Sequence, residues 1–493
     1  MAQDTKSPFL PFSDIAGRAA YFEAAYLKQL EVNTALEQRI DALERQVALN
    51  SKTSSRPPSS DGLKKPPAVK RTQSLRGKSD RKTGGQPGHK GKTLRQTATP
   101  DHVINHYPEI CNACGAALLA SMAEKIVVRQ VVDLPAPPPP EVTEHRVYQC
   151  RCGQCDAVTR GAFPEGISAP VQYGPRIAGI ASYLQTYHCI PQDRLSLMLS
   201  DLFGLSAVPA TLARLIERTA DRLQPFARAV CEGLSGPQVA VKHLDETGFR
   251  VAGKTQWLHV ICSPLLSHFR ISSRRGDLLT GVCGLVVHDH WAPYFKMEGV
   301  QHALCNAHHL RELQALIEIE KEPWATDMKA FLLEAKALAD ARTADREIDD
   351  EIIVKLLQRY DKILTRAVAF HEAQPPVKAI PKAVKSRGRP KRRTAHNFAL
   401  RLQKRKTEVT RFLMEPNVPF TNNEAERDLR MGKVRQKVSG CFRIVRGAEV
   451  FCTLRTVTCT ARKQGWSVIE TLMKPSGQLI ALKIDLYPIS FGD

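Results

Sequence analysis

The pattern of apolar and polar positions changes period several times along the chain, and each change marks a segment. Residues 14 to 50 follow a seven-residue repeat. Tyr26, Asn33, Ile40 and Val47 fall at a positions, Leu36 and Leu43 at d, and Gln29 and Asn50 take the other d positions. The spacing predicts one helix and a short coiled coil, with Asn33 as a register device. The alternative is an amphipathic helix docked on its own protein. Residues 51 to 100 show no periodicity. Residues 165 to 235 read as helical, with a break at Phe203-Gly-Leu205. The outline is that of a helix-turn-helix presenting Thr211, Arg214 and Arg218, but any helical hairpin shares it.

From residue 238 the pattern becomes that of strands. Val239 to Thr247, Thr255 to Ser263 and Leu266 to Ser272 predict an antiparallel meander. A short helix is expected near 275 to 283, then strands at Gly284 to His288 and Gln301 to Cys305, then a helix over Asn306 to Ile319. This order predicts an α/β ribonuclease-H-like core, a mixed sheet with helices on both faces. Residues 320 to 372 and 398 to 414 read as helices around a Pro- and Lys/Arg-rich stretch. A helical insertion over about 315 to 415 therefore separates the last strand from the helical segment that follows.

Three carboxylates stand out on this frame. Asp245 and Asp289 close apolar runs that read as buried strands, and Glu426 begins the segment after the insertion. Hard cations take oxygen ligands and keep waters, so a few carboxylates suffice to hold Mg²⁺ or Mn²⁺. Two such ions can activate a hydroxyl and stabilise the leaving oxygen of a phosphoryl displacement. Glu424 is the alternative third acid, because residues i and i+2 of a helix point to different faces. Glu246 is expected on the opposite side of the strand from Asp245. His288 and His290 are expected as neighbours of a Mg²⁺ site and not as ligands.

Charge narrows the partner. Among 493 residues there are 71 Lys and Arg against 50 acidic residues, a net charge of +21. Nucleic acid is the expected counter-ion, since phosphate neutralisation supplies most non-specific affinity. Thirteen Lys/Arg and two Asp fall between Lys52 and Arg95, in a composition that cannot bury a core. This segment is either a solvated linker or an arm lying along DNA. A second basic run contains Arg387-Gly-Arg389-Pro390, either an AT-hook reaching into a minor groove or a solvated loop. No run of apolar residues is long enough to span a membrane, and no secretory leader is apparent at the start. The expected location is the cytoplasm, at the nucleoid.

The thirteen cysteines suit a reducing compartment. Cys111-Asn-Ala-Cys114 and Cys152-Gly-Gln-Cys155 have the spacing of two zinc knuckles, and four thiolates close a tetrahedral structural Zn²⁺ site. Cys150 competes with Cys152 for one ligand place.

Several stretches together resemble the insertion sequence 66 family of transposases. They include Gly85-Gln-Pro-Gly-His-Lys-Gly-Lys-Thr-Leu94, the paired Cys knuckles, Phe163-Pro-Glu-Gly166, Val171-Gln-Tyr-Gly-Pro175 and Asp289-His-Trp-Ala-Pro-Tyr294. The most specific runs from Val418-Pro-Phe-Thr-Asn-Asn through Glu424-Ala-Glu426 to Arg443. The resemblance covers nearly the whole chain. It implies a DDE transposase that uses divalent metal, normally Mg²⁺, at Asp245, Asp289 and Glu426. It further implies cleavage at element ends and transfer of a 3′-hydroxyl into target DNA. Small accessory proteins of the same element are implied as partners, beside the terminal inverted repeats and a second copy of the chain. The family's insertion begins near a Cys-x-x-His element, here Cys305-Asn-Ala-His308, read as structural or accessory.

The resulting segments are a coiled coil over 14–50, a basic arm over 51–100, a zinc module over 101–160 and a helical region over 161–235. A catalytic domain over 236–470 and a tail over 471–493 complete the chain. Arg427, Arg430, Lys433, Arg435 and Lys437 are expected to line a helix that grips phosphates. The rival readings are a zinc-containing DNA-binding regulator without catalysis and a ribonuclease-H-type nuclease that cleaves without joining.

Overall fold

The computed structural model describes residues 15–48, 91, 93–124, 127–343, 347–375 and 392–482. The 51–90 part of the basic arm and the Arg387 and Arg389 motif lie outside the described residues. Helix α1 spans Ile15–Ala48 as one element. Its Tyr26, Leu36, Ile40 and Leu43 are all more than half exposed, so these apolar positions of the repeat have no cover among the described residues. Strands β1 (Gln149–Arg151) and β2 (Val158–Arg160) form a small antiparallel pair beside the cysteines.

A five-stranded mixed sheet organises the rest. Its strands are β3 (Val241–Val251), β4 (Lys254–Cys262), β5 (Ser267–Ser272), β6 (Gly284–His288) and β7 (Val300–Leu304), in the order β5-β4-β3-β6-β7. The β3–β4 and β4–β5 pairs are antiparallel, whereas β3–β6 and β6–β7 are parallel. The β3–β4 hairpin turns on Ala252 and Gly253, both at positive φ, the backbone that a two-residue hairpin demands. The expected helix at 275–283 is not there: these residues are loop, and Gly281 within them adopts φ +73. A glycine in the left-handed region breaks a helix that composition alone allowed.

Both faces of the sheet are covered, which is why β3 is buried along nearly its whole length. One face packs against α5 (Asn306–Ala315), α6 (Pro323–Asp340), α7 (Asp350–Ala373), α8 (Thr394–Lys404) and α9 (Lys406–Met414). Before these come α2 (Pro175–Ser182), α3 (Gln192–Phe203) and α4 (Pro209–Ser235). Their apolar faces share one core with β3, β4 and β6 from the other side. Arg214 and Arg218 are exposed on α4 while Leu212 and Ile216 face that core.

Helix α10 (Asn423–Ser439) lies close on β3 and β4, and the approach is possible because residue 432 is glycine. A Cβ there would stand 2.6 Å from the Leu258 side chain. Helix α11 (Val445–Lys463) shields the edge strand β5. Its Thr456 hydroxyl accepts the Phe269 N–H at 3.0 Å, and Thr460 exchanges hydrogen bonds with both backbone groups of Ser267. An edge whose backbone is satisfied by a helix cannot recruit another strand.

The segment beyond 470, expected as a tail, continues as folded structure to 482. Helices α12 (Val468–Met473) and α13 (Ser476–Ala481) bury Leu472 and Leu479 completely. Arg222 of α4 donates to the carbonyls of Leu472, Met473 and Lys474, which caps the end of α12.

Candidate active site

Asp245 and Asp289 come from adjacent parallel strands. The ladder pairs Val241 with Leu285, Lys242 with Val286 and His243 with Val287. Asp245 lies two residues beyond the last ladder pair and Asp289 just past the end of β6, and the Asp289 charge acts on Asp245. Asp289 follows the last residue of β6, and its Oδ1 accepts the Trp291 N–H at 2.9 Å. This Asx-type turn fixes the carboxylate at the strand end.

Glu426 arrives from the first turn of α10, where the helix dipole favours an acid. The start of α10 is tied to the sheet by Asn422. Its Nδ2 donates to the Leu244 carbonyl at 2.7 Å, and its Oδ1 meets His243 Nδ1 at 2.8 Å. The Asn422 N–H points at Cys305 Sγ at 3.0 Å, and its carbonyl accepts the Glu426 N–H at 3.2 Å. One buried side chain thus links the strand bearing Asp245 to the helix bearing Glu426.

The three acids feel one another's charge. Burial pushes the Asp245 carboxyl well above its ordinary range, and the charges of Glu246, Asp289 and Glu426 push the same way. Asp289 is raised to about 7, by burial first and then by Glu246, with a smaller push from Glu426. Glu424 turns away to Lys463 at 2.9 Å and Arg427 at 2.8 Å. Asp428 is buried and also bonds Lys463, at 3.0 Å. Lys463 therefore consumes two of the three acids in this stretch.

Glu246 is a fourth acid close enough to act on the site. It is buried, accepts from Tyr294 Oη, and pairs with Arg275 at 2.6 Å. The Arg275 guanidinium lies 4.1 Å from the Trp291 ring centroid, so a cation is held beside the acids by stacking. His288 is buried and neutral, with its pKa lowered to about 3 chiefly by burial.

The basic residues of α10 do not line one face. Arg427, Arg430 and Lys437 are exposed. Lys433 instead donates to the Gly248 carbonyl at 2.5 Å, and burial lowers its pKa to about 8. Arg435 is buried, stacks 4.8 Å from the Phe442 ring centroid and donates to the Gly440 carbonyl. A seventeen-residue helix lying on a sheet must turn some of its cations inward, and their stems then serve as packing.

In the cysteine module each pair is folded as a knuckle. Cys111 and Cys152 have their thiol pKa values lowered by N–H groups two and three residues ahead, then by the partner cysteine. Those donors suit thiolates, and thiolates are the form that zinc takes. Cys150 lies in β1, outside the second knuckle. The two pairs are not brought together: no three of the four sulfurs lie within 4.8 Å of one another.

Among the described residues, no helix is long and apolar enough to cross a membrane. Residues 108–156 match the zinc-finger binding domain of transposase IS66, which supports structural zinc at the cysteine module. Residues 16–95 match a family of unknown function. No curated protein matches the chain. Residues 170–450, more than half of the sequence, match the model of the Transposase IS66 family, and the chain belongs to that family.

Proposed function

We propose that this protein is a DDE transposase that cuts DNA at the ends of its element and joins the freed 3′-hydroxyl to target DNA. The observation that carries the reading is that the charges of Asp289, from a neighbouring strand, and Glu426, from a distant helix, both act on Asp245, although the three carboxylates do not all lie within 4.8 Å of one another. The order β5-β4-β3-β6-β7, with its three antiparallel and two parallel-paired strands, supports a ribonuclease-H-like core. The donors are all carboxylate oxygens, and those of Asp245 and Asp289 have pKa values raised by burial and then by neighbouring acids, which fits a hard divalent cation. Mg²⁺ or Mn²⁺ held by these three residues supplies positive charge to the attacking and leaving oxygens of phosphoryl transfer.

The rest of the chemistry belongs to side chains. The three carboxylates set the place of reaction. Arg427, Arg430 and Lys437 line the outer side of α10 and suit phosphate contacts. In the first reaction water attacks the phosphodiester at the element end, and the P–O3′ bond breaks to leave a 3′-hydroxyl. In the second that hydroxyl attacks a target phosphodiester, a new P–O3′ bond forms and a target 3′-hydroxyl leaves. No covalent enzyme intermediate is needed. The exposed apolar positions of α1 favour a homo-oligomer through a coiled coil. The zinc module, the basic arm and the Arg387 and Arg389 motif are the further DNA-binding parts, and the element's small accessory proteins are the further partners. The proposed location is the nucleoid of the cytoplasm.

The test is incubation with duplex element ends, a target duplex and Mg²⁺. The expected products are a nicked strand bearing a 3′-hydroxyl and a joined strand. Cleavage without joining under any divalent ion would assign the protein to the nuclease class instead.

The raised carboxyl pKa values carry a pH prediction. An acid whose folded pKa lies above its unfolded value stabilises the fold while protonated, and that contribution fades as pH rises through the folded pKa. For Asp289 the window runs from about 4 to about 7. A divalent cation opposes the loss, because it binds the deprotonated form. The gain in Tm on adding Mg²⁺ should therefore be larger at pH 8 than at pH 5.5. Paired melting curves at the two pH values check this, and an equal gain at both would count against metal binding at Asp289.

A further inference from the structure

We infer that Cys305, His308 and Glu426 form a second metal site, suited to a zinc-class cation, which shares Glu426 with the carboxylate pair. The three ligand atoms lie within 4.8 Å of one another, and among the described residues this is the one group of three or more metal-ligating side chains so placed. His308 Nδ1 stands 3.8 Å from Glu426 Oε1, too far for a hydrogen bond. Both atoms are buried and neither has a hydrogen-bond partner. A buried imidazole nitrogen and a buried carboxylate oxygen left facing each other across such a gap are costly unless something sits between them.

The cysteine is prepared in the same way as the knuckles near the N-terminal end. Its sulfur receives the backbone N–H groups of Ala307 and His308, two and three residues ahead, as well as that of Asn422. Cys111 receives those of Ala113 and Cys114, and Cys152 those of Gln154 and Cys155. Cys305-Asn-Ala-His308 is therefore a knuckle with histidine in the second ligand place. Three N–H donors on one sulfur suit a thiolate. Burial nevertheless holds the free thiol at about 12, so a bound cation is what would release its proton to solvent. The imidazole is neutral, with its pKa lowered to about 4 by burial, and has a lone pair to offer.

Sulfur and nitrogen donors select zinc over Mg²⁺. Three protein ligands with a fourth position open describe an exchangeable site and not a closed structural one. The consequence for activity rests on the proposed transposase reading, whereas the site itself does not. A zinc-class ion seated here draws Glu426 away from Asp245 and Asp289, so Zn²⁺ should oppose Mg²⁺-dependent cleavage.

The experiment uses the full-length protein loaded with Zn²⁺ and then with Co²⁺. Wild type should hold one zinc equivalent more than Cys305→Ser and than His308→Ala. The Co²⁺ difference spectrum, wild type minus Cys305→Ser, should contain a thiolate charge-transfer band. Equal zinc content in wild type and both variants, each checked for native melting, would overturn the site. Asp245→Asn should keep the additional equivalent while losing cleavage, which separates failure of this site from failure of the catalytic reading. In the Mg²⁺ cleavage reaction, equimolar Zn²⁺ should slow wild type at least tenfold and slow Cys305→Ser, relative to its own rate, by much less. Equal inhibition of the two would overturn the sharing of Glu426.

Discussion

Asp245→Asn should abolish strand cleavage and joining while leaving DNA binding unchanged. The substitution keeps shape and removes the charge at the middle of the acid cluster. A loss of roughly 10³-fold or more is expected, about 4 kcal/mol of transition-state stabilisation. The variant should also melt higher than wild type in metal-free buffer at pH 8. Its carboxylate is held against burial and the charges of Glu246, Asp289 and Glu426, and the amide relieves all of these. Mg²⁺ should raise its Tm less than that of wild type. Gel-based cleavage assays, binding titrations and melting curves measure the three effects separately. A variant that still cleaves at the wild-type rate would leave the acids a structural role, and the DNA-binding regulator would become the better reading.

Asn422→Ala should produce the second large effect, through position and not through chemistry. Asn422 is buried at 1 % exposure and touches no candidate substrate group. Its loss leaves the Leu244 carbonyl and the His243 ring without their partners. Unsatisfied buried groups cost about 1–3 kcal/mol each, so for these two a stability loss of roughly 2–6 kcal/mol is expected. The start of α10 is then free to drift, and a misplacement of about 1 Å can cost roughly 10²-fold in rate. Because Glu426 would be displaced and not removed, raising the Mg²⁺ concentration should recover part of the activity. A purely structural role would lower the folded fraction without moving the Mg²⁺ dependence. Cleavage measured against Mg²⁺, well below the Tm of the variant, distinguishes the two.

Much of the core was legible in sequence because it rests on local rules. Short strand-like apolar runs marked all five strands of the mixed sheet, and the ends of two of them singled out Asp245 and Asp289. Spacing identified both cysteine knuckles. Helical periodicity located α1 and the insertion helices, although it could not say what covers the apolar side of α1. The expected helix at 275–283 failed because composition does not reveal that Gly281 takes a left-handed backbone.

What only the tertiary structure decided were the pairings between distant residues. Sequence could say that Glu424 and Glu426 point apart, but Lys463, on another helix, is what engages Glu424 and Asp428, while Glu426 faces Arg311 and His308 instead. Glu246 belongs to the electrostatics of the site because the parallel ladder brings Asp289 alongside β3, a register that no local pattern encodes. Lys433 and Arg435 turned inward because α10 lies close on the sheet at Gly432. Asn422 looked like any polar residue before a helix, and its role depends on the Leu244 carbonyl and His243 arriving from a strand far away. The physical reason is the same in each case. Periodicity and propensity are set by neighbours along the chain, whereas a charge's partner is set by packing across the core.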